Sequence, residues 1–142
     1  MKKFNIVIDT NVILTALRST KGASFKFLSI IDSNRFEFSL SVPLFFEYEL
    51  VAKRNKVQLG LSLSTIDDIL YYLAELSNKR EIYFLWRPFL KDPKDDLVLE
   101  VAVESSCDFI ISYNKKDFRN INKFGLKVLT PYEFLKLIKV LK

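Results

Sequence analysis

Asp9, Glu47, Asp95, Asn114 and Asp117 are the side chains whose types and spacing could do chemistry together in this sequence. Asp9 ends an apolar, β-branched run within Phe4–Val12, FNIVIDTNV, which stops abruptly at Asp9-Thr10-Asn11. Such a run reads as a strand buried on both faces, with its carboxylate emerging at the carboxyl end where open α/β sheets place ligands. The plainer alternative is that Asp9 caps the next helix. Glu47 shares a helical face with Leu44 and Val51 and borders the buried stripe, whereas Glu49 has Lys53 at i+4 and an ordinary surface pairing. Asp95 falls opposite Glu100 and Glu104, the expected wet face of a helix over 97–106, and in line with Leu99 and Ala102, while Asp96 turns toward the wet side. A cap or a first-turn acid is the plainer reading of either aspartate. Asn114 and Asp117 lie in SYNKKDF, where an Asx turn would also account for them.

All four stretches lie just beyond a strand's carboxyl end or in the helix packed there. Several carboxylates meeting at one edge repel unless a divalent cation neutralises them, and hard oxygen ligands select Mg²⁺ or Mn²⁺. Such ions generate hydroxide from bound water and stabilise the charge of phosphate hydrolysis. The constellation therefore points to metal-dependent phosphodiester cleavage, which requires no histidine.

The elements that position these residues alternate along the chain. After the first strand, 23–33 has helical spacing, 36–41 (FEFSLS) alternates as a second strand, and Pro43 opens a helix over 44–56. A helix over 64–78, with Ser64 as its cap, leads to a third strand at 81–86. Pro88 and Pro93 bracket a loop before the helix at 97–106; strands at 108–112 and 126–129 and a last helix over 132–141 follow. The alternation predicts a three-layer α/β/α sandwich around a parallel five-stranded sheet, formed as one domain over 1–142. No glycine-rich phosphate loop follows the first strand, which argues against a dinucleotide-binding or P-loop enzyme.

Composition excludes other chemistries. There is no histidine and one cysteine, so zinc sites built on His and Cys, and Ser-His-Asp or Cys-His catalysis, lack their parts. Cys107 reads as a small buried hydrophobe at a helix end, and with no internal disulfide the expectation is a cytoplasmic protein. No apolar run is long enough for a membrane span, and the N-terminal one is too short for a signal peptide. The net charge of +5 permits a polyanionic partner.

These blocks, in this order, resemble the PIN domain family, the nuclease fold of VapC-like toxins. VIDTNV is similar to its opening strand and first metal-binding Asp, here Asp9; SVPLFFEYELVAKR places the family's acidic helix residue on Glu47; DPKDDLVLEVAVES places the third acid on Asp95. The family's Thr-x-Asp after the fourth strand appears as Ser112-Tyr113-Asn114, so an amide replaces the fourth acid, and Asp117 would take its role directly or through water. The resemblance implies a Mg²⁺- or Mn²⁺-dependent ribonuclease with Asp9, Glu47, Asp95 and Asp117 as metal residues and Asn114 completing the catalytic set. Asn11 and Ser112 would orient these ligands by hydrogen bonding. Lys53, Arg54, Lys115, Lys116 and Arg119 would contact the RNA backbone, and Tyr113 would stack on a base or crowd the site. A separate antitoxin and a homodimer are the implied partners, with no membrane. Asn114 also admits a degenerate PIN module that binds RNA or protein without cutting. A phosphatase with a phosphorylated Asp would want Asp-x-Asp at the first strand, and Asn11 stands at its second position.

Overall fold

The first strand, β1 (Asn5–Ile8), sits at the centre of the sheet because its side chains are apolar on both sides; Ile6, Val7 and Ile8 are almost wholly buried. Burial of each such side chain contributes roughly 1.5–3 kcal/mol. The computed structural model describes residues 3–82 and 89–140. Around β1 the chain adds β2 (Glu37–Leu40), β3 (Asn78–Lys79), β4 (Phe109–Ile111) and β5 (Lys127–Leu129), in the spatial order β3-β2-β1-β4-β5. Every pairing is parallel, with Ile6 opposite Phe38 and Phe109, and Ile111 opposite Ile8 and Leu129. This is the five-stranded parallel sheet of an α/β/α sandwich.

Among the described residues six helices lie between successive strands and a seventh follows the last: α1 (Thr10–Arg18), α2 (Ala23–Ser29), α3 (Val42–Arg54), α4 (Lys56–Leu59), α5 (Leu63–Leu76), α6 (Pro93–Glu104) and α7 (Pro131–Leu137). Several start at the sheet's carboxyl edge behind a polar cap. Asp9 caps α1, Ser41 caps α3 through the Leu44 N–H, Asp92 caps α6, and Thr130 caps α7 with a capping box to Glu133. That edge is consequently lined by helix N-termini.

Side-chain alternation assigns the two faces. Ile6 and Ile8 lie on the face of Phe109 and Ile111, while Val7 and Asp9 lie with Ile110 and Ser112. On the first face, Phe27 of α2 stacks on Phe36 at 5.3 Å, and Phe134 of α7 meets Phe36 edge-on at 5.2 Å. On the second, Asn5 donates to the Ser105 carbonyl at the end of α6 (3.2 Å), and α6 packs on β1, β2, β4 and α3. Asp9 thus projects toward the layer that carries α3 and α6.

Several boundaries differ from the sequence reading. The segment 10–18 forms a helix of its own, α1, before α2. Ser62 rather than Ser64 caps α5, its side chain accepting the Thr65 N–H. The third strand is Asn78–Lys79, where the Arg80 N–H still reaches the Leu40 carbonyl at 2.9 Å; Glu81 and Ile82 lie beyond it, and the rest of the expected strand lies outside the described residues. The last helix begins at Pro131 and ends at Leu137. The helix expected at 97–106 begins at Pro93, because Asp92-Pro93 supplies a cap and a preset first residue. Among the described residues no helix is long and apolar enough to cross a membrane.

Candidate functional site

Asp9 leaves β1 in extended conformation, 6% exposed, with its backbone N–H held by the Ile111 carbonyl at 2.9 Å. Its Oδ1 accepts the Thr10 N–H at 2.8 Å and its Oδ2 accepts the Ser112 hydroxyl at 2.6 Å. Capping and site-facing roles therefore coincide in one carboxylate. Ser112, wholly buried, also accepts the Asn114 backbone N–H at 3.0 Å and the Asn11 side-chain amide at 3.4 Å. The Tyr113 hydroxyl is hydrogen-bonded to Ser24 Oγ, which ties its ring to α2 instead of leaving it free above the site.

Asp9, Glu47, Asp95 and Asn114 line one pocket of about 200 Å³, together with Asn11, Asp92 and Lys94. Glu47 reaches it from α3, 9% exposed, and the adjacent Tyr48 anchors that helix by donating its hydroxyl to the Ile8 carbonyl. Glu49 instead faces Lys53 at 3.3 Å. Asp92 and Lys94 were missed by the sequence reading, which placed them in a loop. The available signal was Asp-Pro at a helix start; Asp92 Oδ1 accepts the Lys94 N–H at 2.9 Å. Asp117, in a 3₁₀ turn over Lys115–Asp117, does not line the pocket, but its charge acts on both Asp9 and Asp95.

The aspartate that sequence phase assigned to the wet side of α6 is buried. Asp96 is wholly inaccessible, with Oδ1 accepting the Leu90 N–H at 2.8 Å, and Glu100 is also buried. Helix α6 is enclosed nearly all round, so its polar face meets protein instead of solvent. Asp95 alone of the pair opens into the pocket.

Negative charge accumulates there. Burial raises the Asp9 carboxyl above its usual range, opposed by the bonds from Ser112 and Thr10 and reinforced by Asp117 and Asp92. Asp95 is pushed up to about 7, first by burial and then by Asp9, Asp92, Asp117 and Asp96. Among the described residues no three Asp or Glu side chains are gathered closely enough around a common point to hold a metal ion as they stand. The donors are all hard oxygens, and their mutual repulsion fits a divalent cation.

The cations expected to meet RNA differ in availability. Lys53 bridges Glu49 and Asp67 at 3.3 and 2.8 Å, and Lys115 pairs with Glu133 at 2.7 Å. Arg54, Lys116 and Arg119 are exposed, with the Arg119 Nε donating to the Lys116 carbonyl.

A parallel sheet in this strand order, with oxygen donors gathered at its carboxyl edge, defines an α/β/α domain with an acidic pocket. The chain belongs to the PIN domain family, whose model matches residues 5–116. Two solved structures share the fold. VapBC-1 from nontypeable Haemophilus influenzae is 16% identical, with a TM-score of 0.63 over 90% of this chain and 98% of that one. VapBC2 from Rickettsia felis, bound to a DNA fragment from their promoter, is 12% identical, with a TM-score of 0.61 over 88% and 98%. No curated protein matches the sequence.

Proposed function

We propose that this protein is a Mg²⁺- or Mn²⁺-dependent endoribonuclease, the toxin of a toxin–antitoxin pair. The observation that carries the reading is the convergence of Asp9, Glu47, Asp95 and Asn114, from four separate elements, on one pocket. Asp9, Glu47 and Asp95 would hold the ion, with Asn114 offering a neutral carbonyl oxygen and Asp117 adding charge from just outside. The bound ion would supply a Lewis acid and an activated water at neutral pH. Ser112 fixes the orientation of Asp9, and Asn11 in turn steadies Ser112, which keeps the buried carboxylate aimed. Exposed Arg54 and Lys116 would meet backbone phosphates. The shared fold with VapBC structures supports a separate antitoxin as partner; a second copy of this chain is the other expected partner.

The test is cleavage of single-stranded RNA with Mn²⁺, with EDTA, and by Asp9→Ala. Cleavage should require the metal and vanish in the variant; full activity in Asp9→Ala would remove the metal-site argument. Asn114 is the observation favouring a non-cleaving module, because the site has one charge fewer. Calorimetric titration with Mn²⁺ separates the two, since a non-catalytic module should bind little or none.

A further inference from the structure

We propose that Lys94 seats the RNA backbone at the mouth of the acid pocket, contacting a phosphate beside the one that is cleaved. The inference rests on the ribonuclease reading and assigns to it a substrate-positioning residue. Among the described residues Lys94 is the one cation lining the pocket, where it stands with Asp9, Glu47, Asp92, Asp95 and Asn114.

Three features set it apart from an ordinary surface lysine. Its backbone is fixed, because Asp92 Oδ1 holds its N–H at 2.9 Å and Pro93 precedes it as the first residue of α6. Its ammonium forms no ion pair among the described residues, although several carboxylates share the pocket; Lys53 and Lys115, by contrast, are both bound to acids. Its position also works against the helix it belongs to. A cation in the first turn meets the positive end of the helix dipole, where acids are favoured and lysine is not. An exposed side chain in an unfavourable place, with its charge unspent, is suited to a ligand that brings its own negative charge.

RNA is that ligand under the ribonuclease reading. A strand approaching a pocket lined by four carboxylates is repelled, and an exposed lysine lining the same pocket offsets this. Lysine is a compact point charge on a flexible stem, sufficient for one phosphate oxygen. Because Lys94 and Asp95 line the same pocket, its contact falls beside the reacting phosphate.

The test compares Lys94→Ala and Lys94→Arg with the wild type. Kinetics on a single-stranded RNA oligonucleotide with Mn²⁺ should show a rise in KM of about three- to tenfold for Lys94→Ala, with kcat little changed, and recovery in Lys94→Arg. Binding of the same oligonucleotide, measured by fluorescence anisotropy in an Asp9→Asn background, should weaken correspondingly, and the slope of log Kd against log salt should fall by about 0.7, one single-strand phosphate contact. The melting temperature of Lys94→Ala should stay level or rise, the opposite sign to the loss of binding. Unchanged KM and salt slope in Lys94→Ala, with the wild type cleaving normally, overturn the role of Lys94 alone. Absence of Mn²⁺-dependent cleavage by the wild type overturns it together with the ribonuclease reading.

Discussion

Replacing Asp95 by Asn should stabilise the metal-free protein at alkaline pH, although it removes a proposed metal residue. The folded state holds the Asp95 carboxyl at about 7 against an ordinary 3.8. Between those values the folded chain carries a proton that the unfolded chain releases, so stability is fully present below about pH 4 and is lost as pH rises through 7. Taken whole, the displacement corresponds to about 4 kcal/mol at about 1.36 kcal/mol per pH unit. Asp95 is only half-buried, and solvent and salt screening reduce this to about 1–2 kcal/mol. For a chain of this size that is about 3–8 °C in melting temperature. The assay is thermal unfolding in EDTA at pH 5 and pH 8.5. Wild type and Asp95→Asn should differ little at pH 5, whereas the variant should melt higher at pH 8.5. Added Mn²⁺ should raise the wild type more than the variant, since the ion neutralises the repulsion that the substitution removes. A wild type equally stable at both pH values, or a variant that melts lower at pH 8.5, would refute the claim that burial and the neighbouring acids disfavour the ionised Asp95 in the folded state.

Ser112→Ala removes the 2.6 Å bond to Asp9, and Mn²⁺ affinity by calorimetry should fall at least about tenfold, with the fold retained and Ser112→Thr recovering most of the loss. In the same variant the Asp9 carboxyl should move further upward, because a bond that lowers it is gone. Tyr48→Phe deletes the buried hydroxyl that reaches the Ile8 carbonyl and should cost about 1–2 kcal/mol in urea denaturation; no loss would mean that this bond does not anchor α3.

The local pattern of FNIVIDTNV was enough to place a central strand and to bring Asp9 out at its end, because a doubly buried strand is apolar without interruption and the run stops where the chain must turn. Helical spacing favoured Glu47 over Glu49 without separating them cleanly, since Leu44 and Val51 mark the packed face and Lys53 offers Glu49 a partner, but much of the helix is apolar. Strand and helix alternation likewise carried the parallel sheet and its layers. The third strand was displaced because its two residues, Asn78 and Lys79, are polar and join the sheet edge through backbone bonds that side-chain pattern does not register. Asp96 was misplaced because polarity reports exposure only where a polar face meets water, and α6 is covered by the sheet, by α3 and by the segment donating the Leu90 N–H. Asp92 and Lys94 entered the pocket because α6 starts four residues earlier than its apolar rhythm suggests. Residue types and the strand ends that present them are local properties and were readable along the chain. Which acids share a pocket, and which lysines are already spent, emerged with the folded chain, because charge pairing and burial depend on neighbours distant in sequence.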